Sequence, residues 1–197
     1  AQTLADYDYD QLSFEGVGLD YGFIWPDRVE PTPAYTLRVD LGFLGPGVRL
    51  VPSLTYWSST LEAAEIQRFA DQLNRLEALR EQGVLVSGED LGEIEWNAIA
   101  LNVDTHVVWE LPGRLFPYVG LGLGAHRMDG RGPAIDATFV EDLLDSVSAG
   151  AAAMAGLDFL ATDWLRLYAE GRYAVLNDLR YPAVRVGAAL QLPGGPE

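Results

Sequence analysis

Two histidines are the only imidazoles in this chain, and cysteine is absent. His106 stands two residues after Asp104, a spacing that on an extended strand puts both side chains on one face. There a carboxylate and an imidazole can share a proton or hold a metal ion. With no thiolate to add, two histidines are a poor metal inventory, and disulfide and thiol chemistry are excluded. The run Gly120-Leu-Gly122-Leu-Gly124 invites a phosphate-loop reading, yet no helix follows at the spacing a dinucleotide fingerprint needs. Both histidines are therefore expected to be satisfied interior groups, with no catalytic residue, no metal and no cofactor.

These groups need elements to hold them, and residues 115–128, LFPYVGLGLGAHRM, reveal the kind. Odd positions carry Pro117, Val119, Leu121, Leu123 and Ala125; even positions carry Phe116, Tyr118, Gly120, Gly122, Gly124 and His126. A water-soluble sheet sets one row on a core and a charged row in water, but this second row is too small and uncharged for that. The pattern suits a barrel in lipid, with glycine placed where bulky side chains approach closely inside it.

Pro117-Tyr-Val-Gly-Leu-Gly-Leu-Gly124, with Leu165-Arg-Leu-Tyr-Ala-Glu-Gly-Arg-Tyr173 downstream, resembles the small outer-membrane β-barrel proteins of the OmpA/OmpX/OmpW type. The resemblance implies an eight-stranded barrel and leaves activity open, since members are variously anchors, adhesins, narrow pores and occasional enzymes. Among the enzymes, a lipid A deacylase uses a histidine and a serine two residues apart on one strand. Here His126 has Met128 at that spacing and His106 has Val108, so the nucleophile is missing.

The remaining strands follow by the same alternation. The first, 13–25, sets Val17, Leu19, Tyr21, Phe23 and Trp25 outward and Phe14, Gly16, Gly18, Asp20 and Gly22 inward; 26–35 is read as a loop. The second, 36–44, points Arg38, Asp40 and Gly42 inward, and Gly45-Pro-Gly47 turns into the third, whose inner row is Arg49, Val51, Ser53, Thr55 and Trp57. Pro52 removes a ladder donor in a sheet without free edges, so a bulge is expected there. The fourth sets Ile99, Leu101, Val103 and Trp109 outward against Asn102, Asp104 and His106, and Pro112-Gly-Arg114 is the next turn. Strands six to eight are read at 149–160, 165–176 and 183–192, with the turn 161–164 between the first two.

Two stretches break this period. From Ser59 to Gly92 it lengthens to helical, with Ser59-Thr-Leu-Glu62 as a capping box and Ile66, Phe69, Leu73 and Leu76 as one stripe; the helix is expected over about 60–82. A second is expected over about 137–146, with Phe139, Leu143 and Leu144 on its apolar side. The stripes are expected to cover each other over the barrel mouth, or alternatively to meet a surface partner or a second copy. The predicted fold is all-β: an eight-stranded antiparallel up-and-down transmembrane β-barrel at 12–192, with helical insertions in two long extracellular loops. An acidic lead-in, 1–11, and a tail, 193–197, flank it. Long and short connections alternate, as in bacterial outer-membrane barrels.

The predicted luminal charge network is Glu15, Asp20, Asp40, Asp104, Asp158 and Glu170 against Arg38, Arg49, Arg166, Arg172 and Arg185, with His106 among them. Its near balance contrasts with a net charge of -16 for the whole chain, and fits a lumen plugged by ion pairs. On the outer rows, Phe23, Trp25, Tyr56 and Tyr173 fall near one end of the barrel and Phe43, Trp109 and Phe159 near the other, as two membrane-interface girdles. Arg127 has lipid-facing parity at a strand's external end, in reach of a lipid phosphate.

The acidic balance argues against nucleic acid as a partner, and no apolar run approaches the roughly 18 residues of a membrane helix. The expected partners are outer-membrane lipid and lipopolysaccharide. The expected location is the outer membrane of a Gram-negative-type bacterium, as a mature form after signal-peptide cleavage, for which the opening Ala-Gln-Thr is suited. A non-enzymatic envelope, surface-interaction or adhesion role is the favoured function, with a narrow pore or a soluble lipocalin-like ligand barrel as alternatives.

Overall fold

The computed structural model describes residues 12–75, 87–131, 146–177 and 179–192. Eight strands form one closed barrel in which each pairs antiparallel with the next and β1 closes on β8. They are β1 Leu12–Ile24, β2 Thr32–Gly45, β3 Val48–Thr60, β4 Glu95–Val108, β5 Leu115–Arg131, β6 Ser146–Leu160, β7 Leu165–Leu176 and β8 Arg180–Gln191. Between β3 and β4 lie helix α1, Ala63–Leu73, and one helical turn, α2, Gly88–Leu91.

The register fixes how far the sheet is sheared. A row of paired residues starting at Arg127 on β5 passes through Ile99, Tyr56, Tyr35 and Tyr21. It continues through Val186, Ala169 and Leu157 and returns to β5 at Pro117, ten residues lower. With a rise of about 3.3 Å per residue and strands about 4.8 Å apart, that stagger tilts the strands by about 40°. An eight-stranded barrel of this kind is only wide enough for side chains to fill it.

Alternation then sorts the chain into two chemistries. Leu19, Leu121, Leu123 and Val147 are 69%, 71%, 72% and 77% exposed, whereas Asp104 and His106 are fully buried. Large aliphatics therefore face outward and charges inward, the inverse of a water-soluble domain. The soluble lipocalin-like alternative, which needs the opposite arrangement, is overturned by it.

Several local expectations are corrected. Strand β2 begins at Thr32 and β8 at Arg180, so both connections at that end are shorter than the alternation suggested. The capping box is unused: Ser59 and Thr60 continue β3, the Ser59 hydroxyl donates to the Glu30 carbonyl at 2.5 Å, and α1 starts after an N-cap Glu62 with no side-chain cap bond. Helix α1 accordingly starts three residues later than expected, and residues 76–82 of the expected span lie outside the described residues. The expected helix at 137–146 lies outside the described residues up to 145, and Ser146 opens β6.

The irregularity expected at Pro52 sits on one side of it. The β3–β4 register runs unbroken through Pro52 and Val103, while the β2–β3 register slips, five steps from Arg38 to Phe43 facing four from Ser53 to Arg49. The extra residue is thus in β2, where Gly42 takes a positive φ of 74° and its N–H donates to Asp40 Oδ1 at 3.0 Å. Gly42→Ala is expected to cost about 1–2 kcal/mol, the price of a Cβ in left-handed backbone, read as a lower urea midpoint in micelles. A second slip, between Leu12 and Gly16, reverses the parity at the start of β1: Phe14 faces out, 53% exposed, where the alternation had placed it inside.

Candidate functional site: a doubly stoppered lumen

Asn102, Asp104 and His106 project inward from β4, and their direct partners on β5 are Gly124, Gly122 and Gly120. The three glycines are seats: a Cβ on Gly124 would lie 2.3 Å from Asn102 Oδ1, one on Gly122 1.9 Å from Asp104 Oδ1, and one on Gly120 2.8 Å from the His106 ring. The same device repeats with aromatics, Tyr118 lying over Gly156 and Tyr168 over Gly187. Glycine therefore marks where a polar or aromatic side chain from the adjacent strand lies flat along the wall.

The charges so positioned form two groups. In the middle of the barrel, Glu170 accepts from Arg185 Nε at 2.8 Å, and its nearest contact to Arg185 Nη2 is 2.6 Å. It also accepts from the Tyr118 hydroxyl at 2.7 Å and faces Arg38 at 3.5 Å. Asp20 takes Arg38 at 2.7 Å and the Tyr168 hydroxyl, and Asp104 takes Arg172 at 2.6 Å. Towards the short-turn end, Arg49 pairs with Asp158 at 2.7 Å and Arg166 with Asp40 at 2.8 Å. A stack joins the groups: His106 lies 4.4 Å from the Tyr118 ring, and Arg49 Nη2 contacts His106 Nδ1 at 3.2 Å.

Five arginines thus meet five carboxylates, and the net charge of -16 resides entirely outside this set. Glu15 is half-buried at the short-turn end and makes no ion pair among the described residues. His106 and Asp104, adjacent in parity, go to different partners, so no acid-base couple forms between them. His126 sits directly across from Ser148, both buried, with no hydrogen bond joining them. Among the described residues no three metal-ligating side chains converge. Tyr118 and Tyr168 belong to the network although only their inward parity was legible.

Towards the long-loop end the lumen turns apolar. Trp57, Trp96, Met128, Leu176 and several alanines pack together inside the wall, and α1 closes over them with Ile66 and Ala70, Phe69 lying against the cluster. Ile66 is thereby used within the chain and does not form a free partner surface. Of the other stripe residues, Leu76, Phe139, Leu143 and Leu144 lie outside the described residues, as does the Leu73 side chain.

Solved structures carry this architecture. Neisserial surface protein A matches with a TM-score of 0.58 at 13% identity, over 90% of this chain and 96% of that one. Ail, the attachment invasion locus protein of Yersinia pestis, solved with the heparin analogue sucrose octasulfate, matches at 0.54 and 13%, over 92% and 100%. The N-terminal β-barrel domain of Pseudomonas aeruginosa OprF matches at 0.51 and 15%, over 91% and 98%. The chain folds as a small outer-membrane β-barrel. No protein-family model matches it, and no curated sequence is detectably similar.

An outer-membrane barrel needs an apolar band between two amphipathic rims. Here Trp25, Tyr56 and Tyr173 are exposed near the long-loop ends of their strands, with Phe23 beside Trp25 at 5.2 Å between ring centroids. Trp109 and Phe159 are exposed at the turn end, and Phe43 is half-buried there. Tyr21 and Tyr35 join the first rim as a cross-strand pair with centroids 5.5 Å apart, and Phe14 and Trp164 are exposed near the second. Tyr35 and Trp164 went unassigned because they fall in stretches read as loop and turn.

Proposed function

We propose that the protein sits in the outer membrane as a closed, non-enzymatic barrel whose work is done by its wall and its capped extracellular end. The observation that carries this reading is the double closure of the lumen, paired charges on the turn side and an apolar slug under α1 on the loop side. A barrel so filled is suited to envelope structure or surface interaction. Lipid is the partner of the outer wall, and exposed Arg127, at the loop end of β5, is placed to meet a lipopolysaccharide phosphate. A cell-surface partner would be basic or neutral. Ail was solved with a polysulfated ligand, but the excess negative charge here lies outside the lumen and would repel one.

One observation favours a second reading, a narrow pore. Several guanidiniums face more than one carboxylate, Arg49 having Asp158 at 2.7 Å and Asp40 at 3.7 Å, and Arg166 the reverse. Such pairs can exchange partners without losing charge balance. Planar-bilayer recording separates the two readings. The refolded protein, shown to be a closed barrel by faster gel migration before boiling, is expected to insert without conductance steps. Reproducible steps that vanish with Asp158→Asn would reject the closed barrel in favour of the pore.

A further inference from the structure

Among the described residues seven buried side-chain polar atoms lack a protein hydrogen-bond partner, and five of them belong to Arg49, to its contacts His106 and Asp158, and to Ser53 and Asp104 on the strands of Arg49 and His106. Arg49 Nε, Ser53 Oγ, Asp104 Oδ1 and His106 Nε2 belong to the inner face of the β3–β4 ladder, where Arg49 is paired with His106 and Ser53 with Asn102. Asp158 Oδ1 is the fifth, on the carboxylate whose other oxygen holds Arg49 at 2.7 Å. The five residues are at most 4% exposed.

Their hydrogen-bonding roles are complementary. A guanidinium has no lone pair to offer, so Arg49 Nη2 donates to His106 Nδ1 and the imidazole proton resides on Nε2. Arg49 Nε, His106 Nε2 and Ser53 Oγ are then donors, and the two carboxylate oxygens are acceptors. Beside Arg49 and Asp158 is a cavity of about 20 Å³, lined also by Arg38, Asp40, Arg166 and Val51. A polar cavity needs roughly 10–15 Å³ to hold a water molecule, which there finds the two to four partners that keep it ordered.

We propose that the turn-side half of the lumen is a built water-binding site. One water bridges Arg49 Nε–H to Asp158 Oδ1 in the cavity, and further waters satisfy His106 Nε2–H and Ser53 Oγ–H along β3 and β4. The apolar slug bounds these waters on the loop side, and Trp57 Nε1 is a buried polar atom of that slug without a protein partner. The site belongs to the resting lumen and stands whichever way the conductance experiment falls.

Water-edited NMR of the full chain in lipid nanodiscs tests it. The ring-labelled protein has only two imidazoles, and His126→Gln removes the second. Transfer from water protons to His106 Hε2 and Arg49 Hε is expected, and an Hε2 signal that receives none would overturn the proposal. Val51→Ile adds a methyl group at the cavity wall and distinguishes wet from dry. A wet site loses at least tenfold of the transfer to Arg49 Hε and melts at a lower temperature. A variant that melts higher with transfer unchanged would mean a dry void. Should this variant fail to fold, the parent spectrum alone decides.

Discussion

Gly122→Ala is expected to remove about 3–5 kcal/mol of stability, or to prevent the barrel from closing. The added Cβ would stand 1.9 Å from Asp104 Oδ1 and 3.0 Å from its Cγ, with Arg172 Nη2 at 3.3 Å. Asp104 has little room to retreat: its side chain is short, it is fully buried, and Arg172 holds it at 2.6 Å with Arg185 at 3.7 Å. Displacing the carboxylate leaves a guanidinium unpaired in a low-dielectric interior, which costs more than the pair itself contributes. Gly171→Ala is the matched control, because a Cβ there meets nothing within 4 Å. Urea titration of both variants in the same micelles is the measurement. Equal midpoints would mean that Asp104 is not seated on Gly122.

Glu170→Ala is expected to cost a comparable amount, about 3–5 kcal/mol, for the complementary reason. One carboxylate serves Arg185, Arg38 and the Tyr118 hydroxyl, so its removal takes from Arg185 its nearest partner and from the phenol its acceptor, and leaves Arg38 with Asp20 alone. Glu170→Gln keeps the shape and loses the charge, and should fall between parent and alanine variant. Because the group is buried, raising the salt to 1 M should leave the ranking intact, whereas an exposed pair such as Arg114 with Asp163 is screened. Parent-like unfolding of both Glu170 variants would reject Glu170 as the hub of the network.

Much of the wall was legible because a strand has only two faces. Once Leu121 and Leu123 were set outward, Gly120, Gly122 and Gly124 had to be inward, and the same step placed Arg38, Asp104, Glu170 and Arg185 in the lumen. Alternation failed where the ladder slips: the shift between Leu12 and Gly16 sends Phe14 outward, a displacement one strand's sequence does not announce. The capping box failed because Ser59 had a better acceptor in the Glu30 carbonyl while β3 still had a partner in β4. Partnership within the lumen was harder still. Arg49 meets Asp158 across 109 residues and Arg38 meets Glu170 across 132, and such choices follow from the stagger of the whole barrel. The glycines signalled a close approach, but that β4 supplies it became visible only with the register.

The divided lumen makes the two ends of the molecule depend on temperature by different routes. Apolar packing weakens on cooling, so cold loosens the slug beneath α1. The penalty for keeping ions out of water falls on warming, so the arginine–carboxylate half holds firmer as the other half approaches its limit. Cooling therefore takes support from both halves, and heat leaves the charged half as the firmer of the two.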